Sequence, residues 1–360
     1  MIDYKAFPTT RYQGSKRKII PWLHSIFSQL DFDTALDVFG GSGTVSYLLK
    51  KMGKSVTYND ILKFNYIIGK SIIENNDGAL TEEDMGYILQ ANDEYPKSSF
   101  IYDTFKDKYY LDNENIWLDN VIHNIETLSI NDEKIINYSY KKCMAYNSLF
   151  QACLVKRPYN LFHRSNLAIR TTDVPRSFGN KTTWDTPFDV HFRKFAHEIN
   201  NSIFYLNKSC KATNSSAFDI DMGVGYDLVY LDPPYLNVSR NNESSNYQHC
   251  YHFLEGIANY REWHTLIDYK SKNYSFHKMQ ENKFISKEIL KTYESLFENF
   301  SKSIIVMSYK DNGTPSVDEL VHLLSKFKTN VTVVGREYKY ALQKKSKNNS
   351  ISQEVVIIAS

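Results

Sequence analysis

The sequence predicts an α/β protein with a doubly wound, mainly parallel sheet and an inserted, mostly helical domain. Short β-branched runs alternate with amphipathic helical patterns near both ends of the 360-residue chain, an arrangement typical of parallel sheets. Between about Leu62 and Asn207 the pattern is helical and no strand stands out. A chain of this length has room for roughly two domains. We therefore predict one domain from residues 1–61 and 208–360, and an inserted domain from 62–207.

The amino-terminal part of the predicted sheet is compact. Thr34 to Val38 is predicted as a strand because it is short and apolar, and the turn "FGGSG" follows it. Thr44 to Met52 then has a helical pattern, and Ser55 to Tyr58 is predicted as a second strand. The unit is a strand, a glycine-rich turn, a helix and a further strand.

The carboxyl-terminal part continues the alternation. "YDLVYLDPP", "KSIIVMSYKDNG", "NVTVVGREYKYAL" and "SQEVVIIAS" are predicted strands, with helices at Lys283 to Phe300 and Ser316 to Phe327. The last two strands are separated only by a polar turn, so we predict an antiparallel edge on a mainly parallel sheet.

The predicted insertion has a marked charge asymmetry. Residues 71–140 hold 4 Lys and Arg against 15 Asp and Glu, whereas residues 141–200 hold 10 against 4. The segment from Lys156 to Asp185 is irregular, basic and rich in aromatics. This distribution predicts one face suited to a polyanion, although a solvated basic face over an aromatic core is the alternative.

Composition excludes several protein classes. With 42% hydrophobic and 23% charged residues, the chain is globular. No apolar run approaches the ~18 residues of a membrane span, and no signal peptide pattern opens the sequence. The 4 cysteines lie far apart, which favours neither a zinc site nor a disulfide framework. We expect a cytoplasmic protein without a membrane partner or a metal.

The stretch "YDLVYLDPPYLN" ends a predicted strand in an unusual way. Proline lacks a backbone donor and keeps the preceding residue extended, so Asp232, Pro233 and Pro234 cannot continue a helix. They predict a rigid ledge at the strand's carboxyl end, where the Asp232 carboxylate, the Pro233 carbonyl and the Tyr235 ring face one volume. Ligands of open α/β sheets bind at such ends.

Two further segments predict a ligand site. Glycines in the first turn allow close backbone approach, but their spacing departs from the dinucleotide fingerprint and disfavours a nicotinamide cofactor. Asp60 ends the second strand, where it suits ribose hydroxyls or, alternatively, a helix cap. The loop "RYQGSK" places Gly14 and Ser15 before Lys16, an arrangement able to hold a small carboxylate.

Taken in order, "RYQGSK", "DVFGGSG", a long insertion and "DPPY" resemble the adenine-specific DNA methyltransferases of the Dam-like, alpha-ordered group (the D12 class). The blocks "KRPYNLFHR", "RSFGNKTTWD" and "YHFLEGIANYREW" look like those of a restriction-modification subgroup. The resemblance implies a Rossmann-like methyltransferase fold, S-adenosyl-L-methionine as cofactor and double-stranded DNA as substrate. It also implies transfer of a methyl group to N6 of a flipped-out adenine, with a cognate restriction endonuclease as a possible further partner.

The resemblance and the residue chemistry together give three sets of candidate residues. The predicted catalytic residues are Asp232, Pro233, Pro234 and Tyr235. The predicted cofactor-binding residues are Arg11, Tyr12, Gly14, Ser15, Lys16, Asp37, Phe39, Gly40, Gly41, Gly43, Asp60, Phe218 and Asp232. The predicted DNA-binding residues are Lys156, Arg157, Arg164, Arg170, Arg176 and Lys181, with the tract from Lys270 to Lys283 as the next candidate. One departure concerns the acidic adenine contact of many relatives, because Ser216 or Ala217 stands at that position.

Two other functions compete with this interpretation. The same chemistry could act on an amine of RNA or cytosine, although cytosine enzymes usually have Ser at the position of Asp232. The chain could also be a DNA-binding module with a vestigial pocket. The joint presence of the glycine turn and the Asp232 ledge favours the enzyme, and saturable binding of the methyl donor would discriminate the two.

Overall fold

The structure is a computed structural model. It describes residues 2–91, 99–128, 135–172, 181–234, 236–237, 246–277, 283–285, 288–337 and 353–360. The strands in these ranges are β1 (Thr34–Asp37), β2 (Ser55–Asn59), β3 (Lys211–Thr213), β4 (Leu228–Leu231), β5 (Leu236–Asn237), β6 (Ile304–Lys310), β7 (Gly313–Thr314), β8 (Val331–Glu337) and β9 (Gln353–Ala359).

Helices precede, separate and follow these strands. The α-helices are α1 (Ile20–Phe27), α2 (Thr44–Lys51), α3 (Lys63–Gly69), α4 (Glu82–Leu89), α5 (Phe100–Thr104), α6 (Asp112–Thr127), α7 (Ile135–Val155), α8 (Leu167–Thr171), α9 (Lys181–Asp185), α10 (Phe188–Ser202), α11 (Tyr247–Ala258), α12 (Trp263–Leu266), α13 (Ile289–Asn299) and α14 (Val317–Leu324). None of these described helices combines the length and the apolar character that a bilayer span requires.

Seven strands form one sheet in the order β3-β2-β1-β4-β6-β9-β8. The pairs from β3 to β6 are parallel, whereas β9 is antiparallel to both β6 and β8. The predicted fold class, a mainly parallel α/β sheet with an antiparallel edge, is therefore confirmed. The short strand β3 was not predicted, because three residues with polar neighbours give no periodic signal.

The sequence of β4 explains its central position. Leu228 and Tyr230 point to the core on one face of the sheet, and Val229 and Leu231 point to the core on the other face. Because a strand alternates its side chains, burial on both faces requires an unbroken apolar run. α13 and α14 pack on the face of the sheet to which Val229 and Leu231 point. Most other helices pack on the opposite face.

The described residues between β2 and β3 are helical, as the sequence predicts. α7 packs against α10 and α3, and α3 packs against β2 and β3. Apolar side chains of this helical segment share one buried cluster with side chains of α2 and the sheet. In addition, the Tyr47 hydroxyl of α2 donates to the Ser202 carbonyl of α10 at 2.7 Å. The domain boundaries at 61/62 and 207/208 stay a prediction.

Candidate active site

A cleft lies at the carboxyl ends of β1, β2 and β4. Each strand delivers a carboxylate to it: Asp37 ends β1, Asp60 follows β2 and Asp232 follows β4. The cleft is also lined by the loop before α1, by the turn between β1 and α2, and by the first residues of α11. Its position matches the crevice in which open α/β sheets bind ligands.

The glycine turn between β1 and α2 brings backbone close to the cleft. Gly41 and Gly43 have φ values of 50° and 72°, which L side chains rarely adopt. A Cβ on Gly40 would lie 2.1 Å from the Tyr58 ring, so a side chain there would displace that ring. Gly40 and Gly41 line the cleft directly, whereas Gly43 supports the turn through its N–H bond to the Gly40 carbonyl at 2.8 Å.

Asp60 fastens this turn to β2. Its Oδ2 accepts the Gly41 N–H and its Oδ1 accepts the Leu62 N–H, both at 2.9 Å. Burial raises the pKa of the Asp60 carboxyl, and these backbone bonds oppose that rise. Leu62 precedes α3 directly, so Asp60 does contact the start of that helix as well as the cleft. The Asn65 side chain and the Ile61 N–H also bond to this carboxyl.

Asp37 has an incomplete set of hydrogen-bond partners. Its Oδ2 accepts the Ser46 hydroxyl at 2.7 Å, but its Oδ1 is buried and has no partner among the described protein atoms. Burial raises the pKa of Asp37 to about 7, with a further contribution from Asp232. A buried carboxylate oxygen without a donor is costly, and a cationic or N–H group entering the cleft would satisfy it.

The loop before α1 ends in a buried cation, Lys16, with two carboxylate partners. Its ammonium lies 2.9 Å from Asp232 Oδ1 and 2.9 Å from Glu354 Oε1 at the start of β9. From the sequence, Lys16 was predicted to bind the carboxylate of a small ligand. The structure revises this role, because two carboxylates of the protein itself balance the charge of the Lys16 ammonium. No role was predicted for Glu354, which reaches Lys16 only through the register in which β9 pairs with β6.

Asp232 begins the ledge predicted from the sequence. Its carboxylate and Pro234 line the cleft, and Pro233 is buried behind them. Burial raises the pKa of Asp232 to about 6, Lys16 opposes this rise, and Glu354 adds to it. Tyr235 lies outside the described residues.

One wall of the cleft is aromatic. Phe39 meets Phe284 edge-on with centroids 5.4 Å apart, and Phe218 lies nearly parallel to Phe284 at 6.1 Å. Ser216 and Ala217, at the position of the usual acidic contact, line the cleft beside Phe218. No role was predicted for Phe284, because the sequence places it inside a helix predicted from Lys283, whereas α13 begins at Ile289 and leaves Phe284 beside the cleft.

The opposite wall carries a tyrosine stack. Tyr12 stacks against Tyr251 and Tyr247, with centroids 4.8 Å and 5.5 Å away and interplanar angles of 7° and 17°, and the centroids of Tyr247 and Tyr251 are themselves 6.3 Å apart. The cleft lining includes three residues of the loop before α1 that were predicted to bind the cofactor: Tyr12, Gly14 and Ser15. Gly14 has a φ of 82°. Arg11 is exposed and is not among the described residues that line the cleft.

Comparison with known proteins decides the family. The model for the D12 class of N6 adenine-specific DNA methyltransferases matches residues 12–323. The chain belongs to this family. It is 27% identical to the type II methyltransferase M2.HphI of Haemophilus parahaemolyticus over 98% of each chain. It is 22% identical to the type II methyltransferase M.NlaIII of Neisseria lactamica over 94% of each chain. It is also 24% identical to the modification methylase StsI of Streptococcus sanguinis, over 96% of this chain and half of that protein.

The basic segment of this methyltransferase differs from the predicted DNA-binding face. Lys156, Arg157 and Arg170 are buried. Arg170 forms a two-point ion pair with Glu114, both contacts at 2.8 Å, and Lys156 contacts the same carboxylate at 2.8 Å. Arg157 donates only to backbone carbonyls in the described structure. We therefore remove these three residues from the DNA-binding set, because their charges act inside the protein.

The charge asymmetry has a partly internal explanation. Cations of the 141–200 segment form ion pairs with carboxylates of the 71–140 segment. Besides the pairs with Glu114, these are Lys141 with Asp84, Lys142 with Glu126 and Arg193 with Glu82. Counting charges along a sequence cannot separate such complementarity from a face for a polyanion. Arg164 and Lys181 are exposed, and Arg176 lies outside the described residues.

Proposed function

We propose that the protein is a site-specific adenine N6-methyltransferase that uses S-adenosyl-L-methionine and acts on double-stranded DNA within a restriction-modification system. Its membership of the D12 class supports adenine in DNA as the target. The observation that carries the proposed chemistry is the Asp232 carboxylate, held by Lys16 at the end of β4 and facing the cleft.

The residues of the cleft fit S-adenosylmethionine. The unpartnered Asp37 Oδ1 suits the α-ammonium of its methionine part, and Asp60 suits the ribose hydroxyls. The missing side chain of Gly41, whose Cβ would lie 3.1 Å from the cleft-lining Tyr12 ring, permits close approach of a ligand, and Phe218 offers a face for the purine. When bound, the cofactor supplies an electrophilic methyl group on a sulfonium.

Asp232 and the Pro233 carbonyl would act on the target amine. Its lone pair is delocalised into the adenine ring, so the amine is a weak nucleophile. Acceptors for both amine hydrogens favour a tetrahedral nitrogen with a free lone pair, and Pro234 holds them in place. Transfer then depends mainly on positioning and on preorganised electrostatics. Tyr235 would stack on the base, which must leave the duplex at a cost of a few kcal/mol.

The relatives support the biological setting. Two of them are named type II methyltransferases and match this chain over nearly its full length. We propose that this protein likewise modifies the recognition site of a cognate restriction endonuclease, in the cytoplasm where the DNA lies. Arg164 and Lys181, which are exposed, remain proposed DNA contacts.

Asp232→Ala tests the proposed function. We expect it to abolish single-turnover methylation of duplex DNA while donor titration still gives saturable heat, because the carboxylate acts in the chemical step. Asp31→Ala, at an exposed carboxylate before β1 that is not among the described residues lining the cleft, is the matched control. Near-normal turnover in Asp232→Ala would contradict the assignment, and absence of donor binding by the wild-type protein would contradict the cofactor.

A further inference from the structure

Backbone strain is concentrated in one region of the molecule. In the part of the chain that the structure describes, five non-glycine residues have positive φ: Asp107, Tyr159, Asn160, Asn166 and Tyr274. They fall in three segments, residues 106–109, 157–166 and 268–274, which we call the three-loop surface. Asp and Asn tolerate this conformation, but it costs a tyrosine of order 1–3 kcal/mol, and such strained residues cluster at functional sites. Three segments distant in sequence therefore share a feature that points to a binding role.

Buried polar groups hold the strained loops together. The Arg157 guanidinium, 1% exposed, donates to the carbonyls of Leu161 and Arg164 at 3.1 and 2.6 Å, and also reaches the Ser165 carbonyl. It donates to the Tyr109 carbonyl at 3.4 Å as well, which links the first loop to the second. One buried cation thus fixes the backbone of the 157–166 loop from within.

The third loop is attached through Asn273. Its side-chain amide donates to the His163 carbonyl, and its Oδ1 accepts the Ser165 hydroxyl at 3.3 Å. The Tyr109 hydroxyl lies 2.9 Å from the Asn273 carbonyl. Lys108 completes the contact, donating to the Lys272 carbonyl at 3.1 Å. The three loops therefore form one preformed surface.

This surface displays aromatic rings and cations to solvent. Tyr159 is 64% exposed and Tyr269 is 55% exposed, large values for tyrosines. Lys270 and Lys272 are exposed beside them. Besides the buried Arg157, the three loops hold five Lys and Arg against two Asp and Glu. Cations interleaved with exposed rings on rigid backbone suit the phosphates and bases of a nucleic acid.

The three-loop surface adjoins the active-site cleft. The Phe162 N–H donates to the Cys250 carbonyl of α11 at 2.8 Å, and the rings of His163 and His249 are 6.5 Å apart. His249 follows Gln248, which lines the cleft. A duplex that presents a base to the cleft would therefore extend over these loops.

We propose that the three-loop surface binds the DNA that flanks the target adenine. Lys270 and Lys272 contact phosphates, and the Tyr159 ring contacts bases. The inference rests on the proposed DNA methylation. As the DNA-binding surface, the three loops take the place of the buried Lys156, Arg157 and Arg170, and they come from segments before and after the catalytic strand β4. Because the loops are already ordered, binding costs them little conformational entropy.

Two substitutions test the cationic and the aromatic parts separately. Lys270→Gln with Lys272→Gln should weaken binding of a duplex of any sequence and flatten the dependence of log affinity on log salt by about 1.8. Tyr159→Asn, in which asparagine tolerates the left-handed backbone, should lower duplex affinity severalfold, because the contact of the ring with base edges in a groove is lost. The salt slope should not change in Tyr159→Asn.

Matched variants serve as controls. Lys291→Gln with Lys302→Gln removes the same charge from the α13 side, and Tyr205→Asn removes a tyrosine that is 72% exposed elsewhere. Both should bind DNA like the wild type, and no variant should lose melting temperature or donor affinity relative to the wild type.

The outcomes separate this inference from the proposed function. If the loop variants bind duplex DNA with unchanged affinity and salt slope, the three-loop surface is refuted even when the wild type methylates DNA normally. If the wild type transfers no methyl group to DNA, the proposed function fails, and a loss of duplex binding in the loop variants would still support the surface.

Discussion

Removing the charge of Glu354 should change the pH dependence of methyl transfer. Lys16 lies 2.9 Å from both Asp232 Oδ1 and Glu354 Oε1, so these two oxygens are at most about twice 2.9 Å apart. At an effective dielectric constant near 20, two like charges at ~5.8 Å repel by about 3 kcal/mol, or roughly 2 pKa units. Glu354→Gln should therefore lower the pKa of Asp232.

The sign of the effect follows from the proposed role of Asp232 as an acceptor. Burial raises its pKa to about 6, and protonation removes the acceptor, so the rate should fall as pH falls through about 6. The Asp232 side chain is 19% exposed, so screening by solvent reduces the repulsion between Asp232 and Glu354. We expect the acidic limb of Glu354→Gln to move about 1–2 pH units lower, with an unchanged plateau above pH 7.

The assay is single-turnover methylation of a pre-bound duplex across the pH range, which isolates the chemical step from binding and product release. Glu298→Gln, an exposed residue of α13, removes the same charge far from Lys16 and should leave the profile unchanged. An acidic limb at the same pH in Glu354→Gln and the wild type would refute the electrostatic coupling. A lower plateau without a shift would indicate a role in packing alone.

Two further substitutions separate stability from binding. Arg170→Ala should lower the free energy of unfolding by about 3 kcal/mol, measured by denaturant titration, because it leaves the buried Glu114 without its two-point partner; Lys181→Ala, at an exposed cation, should change it little. Gly41→Val should reduce donor affinity at least tenfold in calorimetry, because a Cβ there lies 3.1 Å from a ring of the cleft and φ is positive. Gly225→Val, also at positive φ but with no atom of the described residues within 4 Å of its added Cβ, should keep donor affinity, and equal losses in both would point to general backbone strain.

The sequence predicted the parts of the site that depend on local chain geometry. The glycine turn and the Asp232 ledge come directly after predicted strands in the sequence. The carboxyl ends of parallel strands lie at the edge of the sheet where ligands bind. Asp60 was predicted for the same reason. The mainly parallel sheet and its antiparallel edge were predicted because strands that alternate with helices pair in parallel, whereas two strands joined by a short turn pair antiparallel.

The errors and omissions involve contacts between distant parts of the chain. Arg157 and Arg170 were predicted as DNA contacts because a sequence gives charge without burial. Glu354 meets Lys16 only through the antiparallel register of β9, and this register depends on packing across the whole sheet. Asn273 joins the 157–166 loop by side-chain bonds that no periodic pattern encodes.

The core that the helical segment shares with the sheet limits how new target specificities arise in this protein. Apolar residues of α7 and α10 belong to the same buried cluster as residues of α2, and the Tyr47 hydroxyl bonds directly to the Ser202 carbonyl. Wholesale exchange of this segment with that of a relative would leave mismatched surfaces in the middle of the enzyme. Specificity should therefore diversify through substitutions and length changes in exposed loops, and chimaeras that graft only those loops should stay folded more often than chimaeras that transplant the segment entire.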